Sequence, residues 1–183
     1  YSVDIITKDL KQISDEVGAE RSPSISPNGK MIAYSFEERR PLAYSPNQVA
    51  IMDINGNNKR IISKNLDGDA DNLQWSDDNR SIFFSYDERG IRKIGQLMLN
   101  GEIKNITNDL GGTTLGRPYL SGSYHHSGKN IAFTYGGGNR PADVAVLMNG
   151  KVNVLTELNN DLWDQLKLGD INEVVYNSSF DDQ

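Results

Sequence analysis

The run Ser26-Pro-Asn-Gly-Lys-Met-Ile-Ala-Tyr-Ser35 returns in altered form as Ser76-Asp-Asp-Asn-Arg-Ser-Ile-Phe-Phe-Ser85 and again as His125-His-Ser-Gly-Lys-Asn-Ile-Ala-Phe-Thr134. With Ile32, Ile82 and Ile131 aligned, the copies stand 50 and 49 residues apart. Each joins a polar turn to an apolar run, and a second hairpin follows. Self-similarity at this period marks a repeat architecture, in which one unit cannot bury its apolar face alone and stacks on its neighbours.

Outward from those runs, each unit reads as four strands. The first has them near Ser22–Ser26, Met31–Phe36, Gln48–Asp53 and Lys59–Ser63; the second near Asn72–Ser76, Ser81–Tyr86, Ile94–Leu99 and Glu102–Thr107. The third has them near Tyr119–His125, Asn130–Tyr135, Asp143–Met148 and Lys151–Thr156. The last two strands of every unit meet at an Asn-Gly pair, Asn55-Gly56, Asn100-Gly101 and Asn149-Gly150. This is the strongest short hairpin signal, because type I′ turns need positive φ at both central residues. The second strands (Met31 to Phe36, Ser81 to Tyr86, Asn130 to Tyr135) are apolar nearly throughout instead of alternating, which predicts cover on both faces. Antiparallel hairpins covered on both sides and repeated at this period predict an all-β fold, a β-propeller fragment with three complete four-stranded blades. A sandwich would alternate and would have no fixed period.

Partial elements flank the blades, which occupy residues 22–63, 72–107 and 119–156. Residues 1–15, with Val3-Asp-Ile-Ile-Thr-Lys-Asp-Leu10 at their centre, read as the outer hairpin of a blade whose inner strands are absent. Residues 158–183 read as a short helix over Leu158–Leu166, capped by Asn159 or Asn160, and a strand at Glu173–Ser178 leading out of the propeller. Three blades are too few to close a ring, for which about four or more are usual. The expectation is a segment of a larger propeller, ahead of a composite fourth blade built from the two ends.

Composition sets bounds on function. The net charge of −6 over 183 residues is spread evenly, and no basic stripe exists to neutralise phosphates, so nucleic-acid binding is disfavoured. No apolar run approaches the roughly 18 residues of a membrane span. The absence of cysteine removes disulfides and thiolate metal sites and leaves the compartment open, periplasmic, secreted or cytoplasmic.

The turn Ser26-Pro-Asn-Gly-Lys30 followed by Met-Ile-Ala-Tyr34, the run Tyr124 to Thr134, and the tail Leu166-Lys-Leu-Gly-Asp-Ile-Asn-Glu-Val-Val-Tyr-Asn-Ser-Ser-Phe-Asp-Asp182 resemble the propeller of prolyl oligopeptidase-family serine peptidases. The likeness is to the acylaminoacyl-peptidase and dipeptidyl-peptidase-like branch, and TolB-type propellers share the blade turn. The second copy of the turn lacks its Pro and Gly, and the third lacks its Pro. The resemblance implies a chain that ends at the junction with an α/β-hydrolase domain, with the nucleophile, oxyanion residues and their partners beyond Gln183. It also implies a partner domain in the same parent chain and peptide substrates.

Within the chain itself no catalytic set is expected. There is no Gly-x-Ser-x-Gly elbow; Ser121-Gly-Ser-Tyr comes nearest. His125 and His126 are adjacent, and on a strand they point opposite ways. Two imidazoles without a third ligand do not make a zinc site. Asp67-Gly-Asp-Ala-Asp-Asn72 resembles the start of a calcium loop with Asp78 at position 12. Position 6 is not Gly, however, and a strand follows, so a solvated acidic connection is the expectation. Tyr135-Gly-Gly-Gly-Asn139 opens no helix and carries no following Lys, which leaves a flexible loop. No cofactor or metal is expected.

One distribution stands out. Arg21, Arg39, Arg40, Arg89, Arg92, Arg117 and Arg140, seven of the nine arginines, fall in connections between second and third strands or between units. Lys8, Lys11, Lys30, Lys59, Lys129 and Lys151 lie in or beside hairpin turns. Arginine offers a planar bidentate fork for carboxylates, whereas lysine is a hydrated point charge. The arginine face is therefore expected to dock something acidic, a partner domain or a peptide carboxylate, against the alternative of salt bridging inside each blade. The loop Glu37 to Asn47 is the foremost contact, with Glu37 or Glu38 placed to receive a peptide's amino terminus.

The function expected is that of a non-catalytic propeller segment that gates and orients peptides for a hydrolase domain. The alternative is a TolB-like or four-bladed scaffold for protein partners. Open faces on the end blades are expected to invite self-association.

Overall fold

The computed structural model describes residues 1–15, 17–39, 44–112, 121–137, 140–167, 169–170, 172 and 174–177. A two-stranded hairpin, β1 (Ser2–Val3) and β2 (Leu10–Lys11), comes first. Three four-stranded antiparallel sheets follow, each ordered as in the chain. Blade 1 is β3 (Gly18–Ile25), β4 (Met31–Glu38), β5 (Gln48–Asp53) and β6 (Arg60–Ile61). Blade 2 is β7 (Asp71–Trp75), β8 (Ser81–Glu88), β9 (Ile91–Met98) and β10 (Ile103–Thr107). Blade 3 is β11 (Tyr124–Ser127), β12 (Asn130–Gly137), β13 (Arg140–Met148) and β14 (Lys151–Val154). A single helical turn, α1 (Asn160–Trp163), closes the described order.

The first strand of blade 1 is longer than the expected Ser22–Ser26. A bulge between Arg21 and Ser24 absorbs Pro23, which has no N–H to give, and beyond it the ladder resumes as far as Gly18 opposite Glu38. The third unit's first strand was expected from Tyr119, which lies outside the described residues; the strand begins at Tyr124. The helix spans four residues instead of the expected nine, and Asn159 stands at its N-cap without a side-chain bond. Residues 174–177 belong to no ladder, so the strand expected at Glu173–Ser178 does not form over its described part. Val174, Val175 and Tyr176 have strand propensity, but a strand needs an edge to pair with.

The decisive turn has the same wiring in blades 1 and 2 despite its different letters. The Ser26 hydroxyl bonds Asn28 Oδ1 at 2.9 Å and accepts the Met31 N–H at 2.9 Å, while Lys30 N–H donates to Asn28 Oδ1 at 3.0 Å. Ser76 bonds Asp78 Oδ1 at 2.7 Å and accepts Ser81 N–H at 3.0 Å, and Arg80 N–H donates to Asp78 Oδ1 at 3.0 Å. Gly29 (φ 69°) is matched by Asn79 (φ 61°), the non-glycine residue best suited to the left-handed region. Blade 3 departs from this pattern: Ser127 pairs with Asn130, so its turn is only Gly128-Lys129, with Gly128 at φ 58°. The Asn-Gly turns also differ among themselves. Both Asn149 (φ 52°) and Gly150 (φ 75°) are left-handed, as type I′ requires. In the other two, only Gly56 (φ 89°) and Gly101 (φ 94°) are, giving type I turns that end in a glycine bulge.

Neighbouring blades bury their apolar faces on each other. We call the face toward the preceding blade the front and the other the back. Blade 2 puts Trp75, Ile82, Phe84, Tyr86 and Leu97 of its front against Ala33, Val49, Ile51 and Ile62 on the back of blade 1. Its own back, with Phe83 and Ile94, meets Tyr124, Ile131, Phe133 and Ala145 of blade 3. Consequently Ser81 to Tyr86 are all buried. Ile13, in the segment after the hairpin, packs on the front of blade 1, over Ile32, Tyr34, Phe36 and Met52. Between that segment and the inner strand of blade 1 lies a groove of about 700 Å³ lined by Tyr1, Pro23 and Ile25 among others. Blade 3 is covered on its front alone: Ile131 and Phe133 are buried while Asn130 and Ala132 are exposed.

Gly95 shows how tightly the first seam is filled. A Cβ there would stand 2.7 Å from the Phe84 ring and 3.0 Å from the Tyr86 ring, which stack on each other at 5.1 Å. Gly95→Ala is expected to cost about 1–3 kcal/mol through overpacking, read as a lowered urea midpoint with an unchanged m-value.

Candidate functional site

The β4–β5, β8–β9 and β12–β13 loops and the interblade connections share one end of the blades, the loop face; the hairpin turns occupy the other. The expected arginines divide there according to what their own blade offers them. Arg92 lies within β9, 7% exposed. Its Nη1 donates to Asp87 Oδ2 at 2.7 Å, and its Nη2 donates to Asp71 Oδ2 at 3.0 Å and to Ser85 Oγ at 3.1 Å. Asn72 Nδ2 adds a bond to Ser85 Oγ at 3.1 Å. One guanidinium thus ties β7, β8 and β9 together and faces blade 3 instead of solvent.

Arg140 Nε and Nη2 hold Asp143 Oδ2 at 3.1 and 2.8 Å, and Nη2 also reaches Asn160 Oδ1 at 2.9 Å. Asp143 is itself buried and accepts from Leu158 N–H and from the Thr156 hydroxyl, both at 2.9 Å. These donors, with the backbone bond foremost, hold its carboxyl below the usual value. Arg21 stands inside β3, not in a connection, and pairs with Glu37 at 2.8 Å across the ladder. Glu37 is therefore already engaged by a cation of its own sheet. Glu38 and Arg39 are exposed at the end of β4, and Arg89 (φ 51°) is exposed at the β8–β9 turn. Arg40 and Arg117 lie outside the described residues. Intrablade pairing accounts for Arg21, Arg92 and Arg140, which leaves Arg39 and Arg89 as the described arginines presented at the loop face.

Residues 44–47, ahead of β5, lie beside the acidic connection between blades 1 and 2. Asn47 N–H donates to Asp69 Oδ1 at 2.7 Å, and burial together with the Asp69, Asp67 and Asp71 carboxylates pushes the Tyr44 hydroxyl up. The calcium-like run does not converge. Asp69 holds the loop, Asp71 holds Arg92, and Asp78 sits in a turn at the opposite end of the sheet, its carboxyl lowered chiefly by Ser76. Among the described residues no three His, Cys, Asp or Glu are placed to hold a metal. The glycines after Tyr135 are not a loose loop over their described part. Gly136 and Gly137 belong to β12, and Gly136 N–H donates to Asp109 O at 3.2 Å. The backbone of Gly111 crosses so near Gly136 that a Cβ on Gly111 would stand 2.4 Å from its Cα.

The seam between blades carries polar bonds that sequence reasoning missed. Trp75 Nε1 donates to Ser24 O at 2.9 Å. One blade later, His126, at the position equivalent to Trp75, meets Trp75 O at 2.7 Å through Nε2. Nε2 must carry the proton, because a carbonyl only accepts. The His126 ring lies 4.7 Å from Phe83, and Nδ1 is buried without a partner among the described residues, whereas His125 points to the exposed side. Gln74 Nε2 donates to Tyr124 O at 2.9 Å, and the Tyr124 hydroxyl donates to Asn72 O at 2.5 Å; burial pushes that hydroxyl far up. At the turn end, Asn28 N–H donates to Asn79 Oδ1 at 2.9 Å and Gly128 N–H to Asp77 Oδ2 at 3.1 Å. The signal was available, since these partners are 50 to 52 residues apart, within three residues of the repeat period.

No family model matches the chain, and no curated protein matches it. Solved structures do. TolB from Acinetobacter baumannii matches with a TM-score of 0.60 at 21% identity over 85% of this chain and 37% of that one. The acylaminoacyl peptidase of Pyrococcus horikoshii matches with 0.57 at 15% identity over 76% of this chain and 20% of that one. The β-propeller domain of the Trilobed protease from Pyrococcus furiosus matches with 0.52 at 16% identity over 75% and 43%. At these identities the likeness shows the fold, a β-propeller segment, and the chain spans well under half of each of these structures.

Two outcomes follow for the polar sites. Arg92→Ala removes the buried cation that the part-exposed Asp71 and Asp87 carboxylates share and is expected to cost about 1–2 kcal/mol, measured by urea denaturation. Asp143→Asn is expected to destabilise at pH 7. Because the folded-state carboxyl titrates below 3.8, its stabilisation is full above that value and is lost as pH falls through the lowered one. Melts at a series of pH values should therefore show variant and parent converging below about pH 4.

Proposed function

We propose that the chain is a non-catalytic stretch of a propeller that covers a hydrolase domain in a serine peptidase of the prolyl oligopeptidase kind and controls which peptides reach it. The observation that carries the propeller part is the back of blade 3. It repeats the register of the buried backs of blades 1 and 2, yet it is open, as expected where further blades continue the array. The peptidase part is supported by the tail Leu166 to Asp182 and by likeness to the acylaminoacyl peptidase propeller.

In this reading the α/β-hydrolase domain of the same protein is the main partner. Glu38, Arg39 and Arg89, with Arg40 and Arg117 from the undescribed loops, meet that domain or the ends of a peptide. Glu37, Arg92 and Arg140 act one step behind by holding the sheets and the helix in place. Arg39→Ala combined with Arg40→Ala in the full-length protein should raise KM for short peptides several-fold with little change in kcat; unchanged peptide kinetics and unchanged domain association would remove these residues from the contact.

A second reading, a TolB-like scaffold for protein partners, is favoured by the match to TolB over 85% of this chain. A fluorophosphonate probe separates the two. On the peptidase reading, the protein that carries this chain takes up the probe at one serine outside residues 1–183 and at none within them. A full-length protein that takes up no probe and retains a protein partner is the scaffold.

A further inference from the structure

Asn149 and Gly150 differ from the other two Asn-Gly pairs in what surrounds the side-chain amide and the glycine nitrogen. In blades 1 and 2 that nitrogen is occupied: Gly56 N–H donates to Asp53 O at 2.8 Å and Gly101 N–H to Met98 O at 2.9 Å. Asn100 Oδ1 is held as well, accepting Glu102 N–H at 3.0 Å. In blade 3 the β13–β14 loop is only two residues long, closed by the Met148–Lys151 pair, and the Gly150 N–H has no acceptor among the described residues. The Asn149 side chain likewise makes no hydrogen bond among them, and both residues are exposed. Nothing lies within 4 Å of a Cβ placed on Gly150, whereas Ile13 O would stand 2.1 Å from one on Gly56 and Ile62 O 3.2 Å from one on Gly101. Those neighbours come from the preceding side of each blade. Blade 3 puts no atom that near Gly101, so the equivalent turn stays open when a blade follows.

We propose that Asn149 is a site of covalent modification, in which the Gly150 nitrogen attacks the asparagine's side-chain carbonyl. The Gly150 N–H gives its proton to hydroxide, and the nitrogen bonds to Asn149 Cγ. The Cγ–Nδ2 bond breaks, and Nδ2 takes a proton from water and leaves as ammonia, closing a five-membered succinimide. Water then opens the ring at either carbonyl. Cleavage at Cγ leaves aspartate at position 149, and cleavage at the main-chain carbonyl leaves isoaspartate, with the chain running through Cγ. Nothing is oxidised or reduced; one water enters and one ammonia departs. Glycine suits the attacking position, because without a Cβ its nitrogen is unhindered. The backbone also stands near the ring's geometry. A succinimide holds ψ of its asparagine at about −120°, the value that accompanies φ of about +60° in a type II′ turn. Asn149 already has φ 52°, whereas Asn55 and Asn100 are not among the positive-φ residues. The isoaspartyl product adds one backbone atom to a two-residue loop, which loosens the Met148–Lys151 end of the ladder. The inference rests on this hairpin alone and stands whether or not the peptidase reading does, which probe labelling tests separately.

Peptide mapping by mass spectrometry of the full-length protein, held in mildly alkaline buffer, reads the outcome. Each conversion adds about one dalton, and an isoaspartyl methyltransferase marks the isoaspartate. In the folded protein, position 149 should convert at least about fivefold faster than positions 55 and 100. In urea the three rates should draw together, because all three asparagines precede glycine and only the fold separates them. Asn149→Gly, which keeps a left-handed turn, should remove the mass gain from the peptide that carries this hairpin. Equal rates at the three positions of the folded protein overturn the proposal. So does an order of rates that persists unchanged in urea, and so does a mass gain that survives in Asn149→Gly.

Discussion

Trp75 stands where the two requirements of this architecture meet. Its ring belongs to the apolar layer between blades 1 and 2, and its Nε1 donates to Ser24 O across the same seam. The two contributions differ in size. Burying Trp75, Ile82, Phe84 and Leu97 stabilises by roughly 1.5–3 kcal/mol per side chain, whereas each cross-blade hydrogen bond nets about 0.5–1.5 kcal/mol. Apolar burial therefore holds the blades together, and the polar bonds decide how they sit. An apolar layer alone is non-directional and would let one sheet slide on the next. A ring N–H that must find one carbonyl, with the Asn79 and Asp77 side-chain oxygens accepting the N–H groups of Asn28 and Gly128 at the turn end, admits a single setting. His126 continues the device into the next seam with a different ring and the same donor role.

The repeat, the strand order and the cover on both sides of β4 and β8 were legible because they depend on period and polarity, which sequence carries directly; β12, expected to be covered on both faces, is covered on its front alone. The turn wiring was only partly legible. Asn28 and Asp78 look unlike, and so do Gly29 and Asn79, yet each pair does one job, an acceptor in the first case and a left-handed φ in the second. The Asn-Gly pairs misled in the opposite direction. Three identical dipeptides form two turn types: Met148 pairs with Lys151 across a two-residue loop, whereas Asp53 N–H reaches Asn57 O and Met98 N–H reaches Glu102 O, each across one residue more. The outgoing strand at 173–178 was read from propensity, which cannot know whether a free edge is within reach.

The arginines show a further limit of reading by position. Side-chain type and loop location grouped seven of them on one face. Which of these are spent inside a blade depends on cross-strand register, and that places Asp71, Asp87 and Ser85 around Arg92. Asp87 and Ser85 lie across the β8–β9 hairpin from Arg92, and Asp71 is 21 residues away; the sheet brings the three together. Arg140 with Asp143 is a nearer pair, three residues apart, yet its weight comes from Leu158 and Thr156, which also bind that carboxylate and fasten the start of α1 to blade 3. The loop face is thus a rigid polar frame with a few exposed cations at its rim.

The two end blades differ in a way that composition does not reveal. Blade 1 begins its inner strand seam with Ile25, where blades 2 and 3 have Trp75 and His126, so it offers no ring donor toward a preceding sheet. Ile25 is 61% exposed beside the groove, and Ile13 covers the rest of that front. At the other end, Ser24 O and Trp75 O receive donors from the following blade. The two ring donors therefore run one way, from each blade to a carbonyl of the blade before it, while Asn28 N–H and Gln74 Nε2 donate the other way across the same seams.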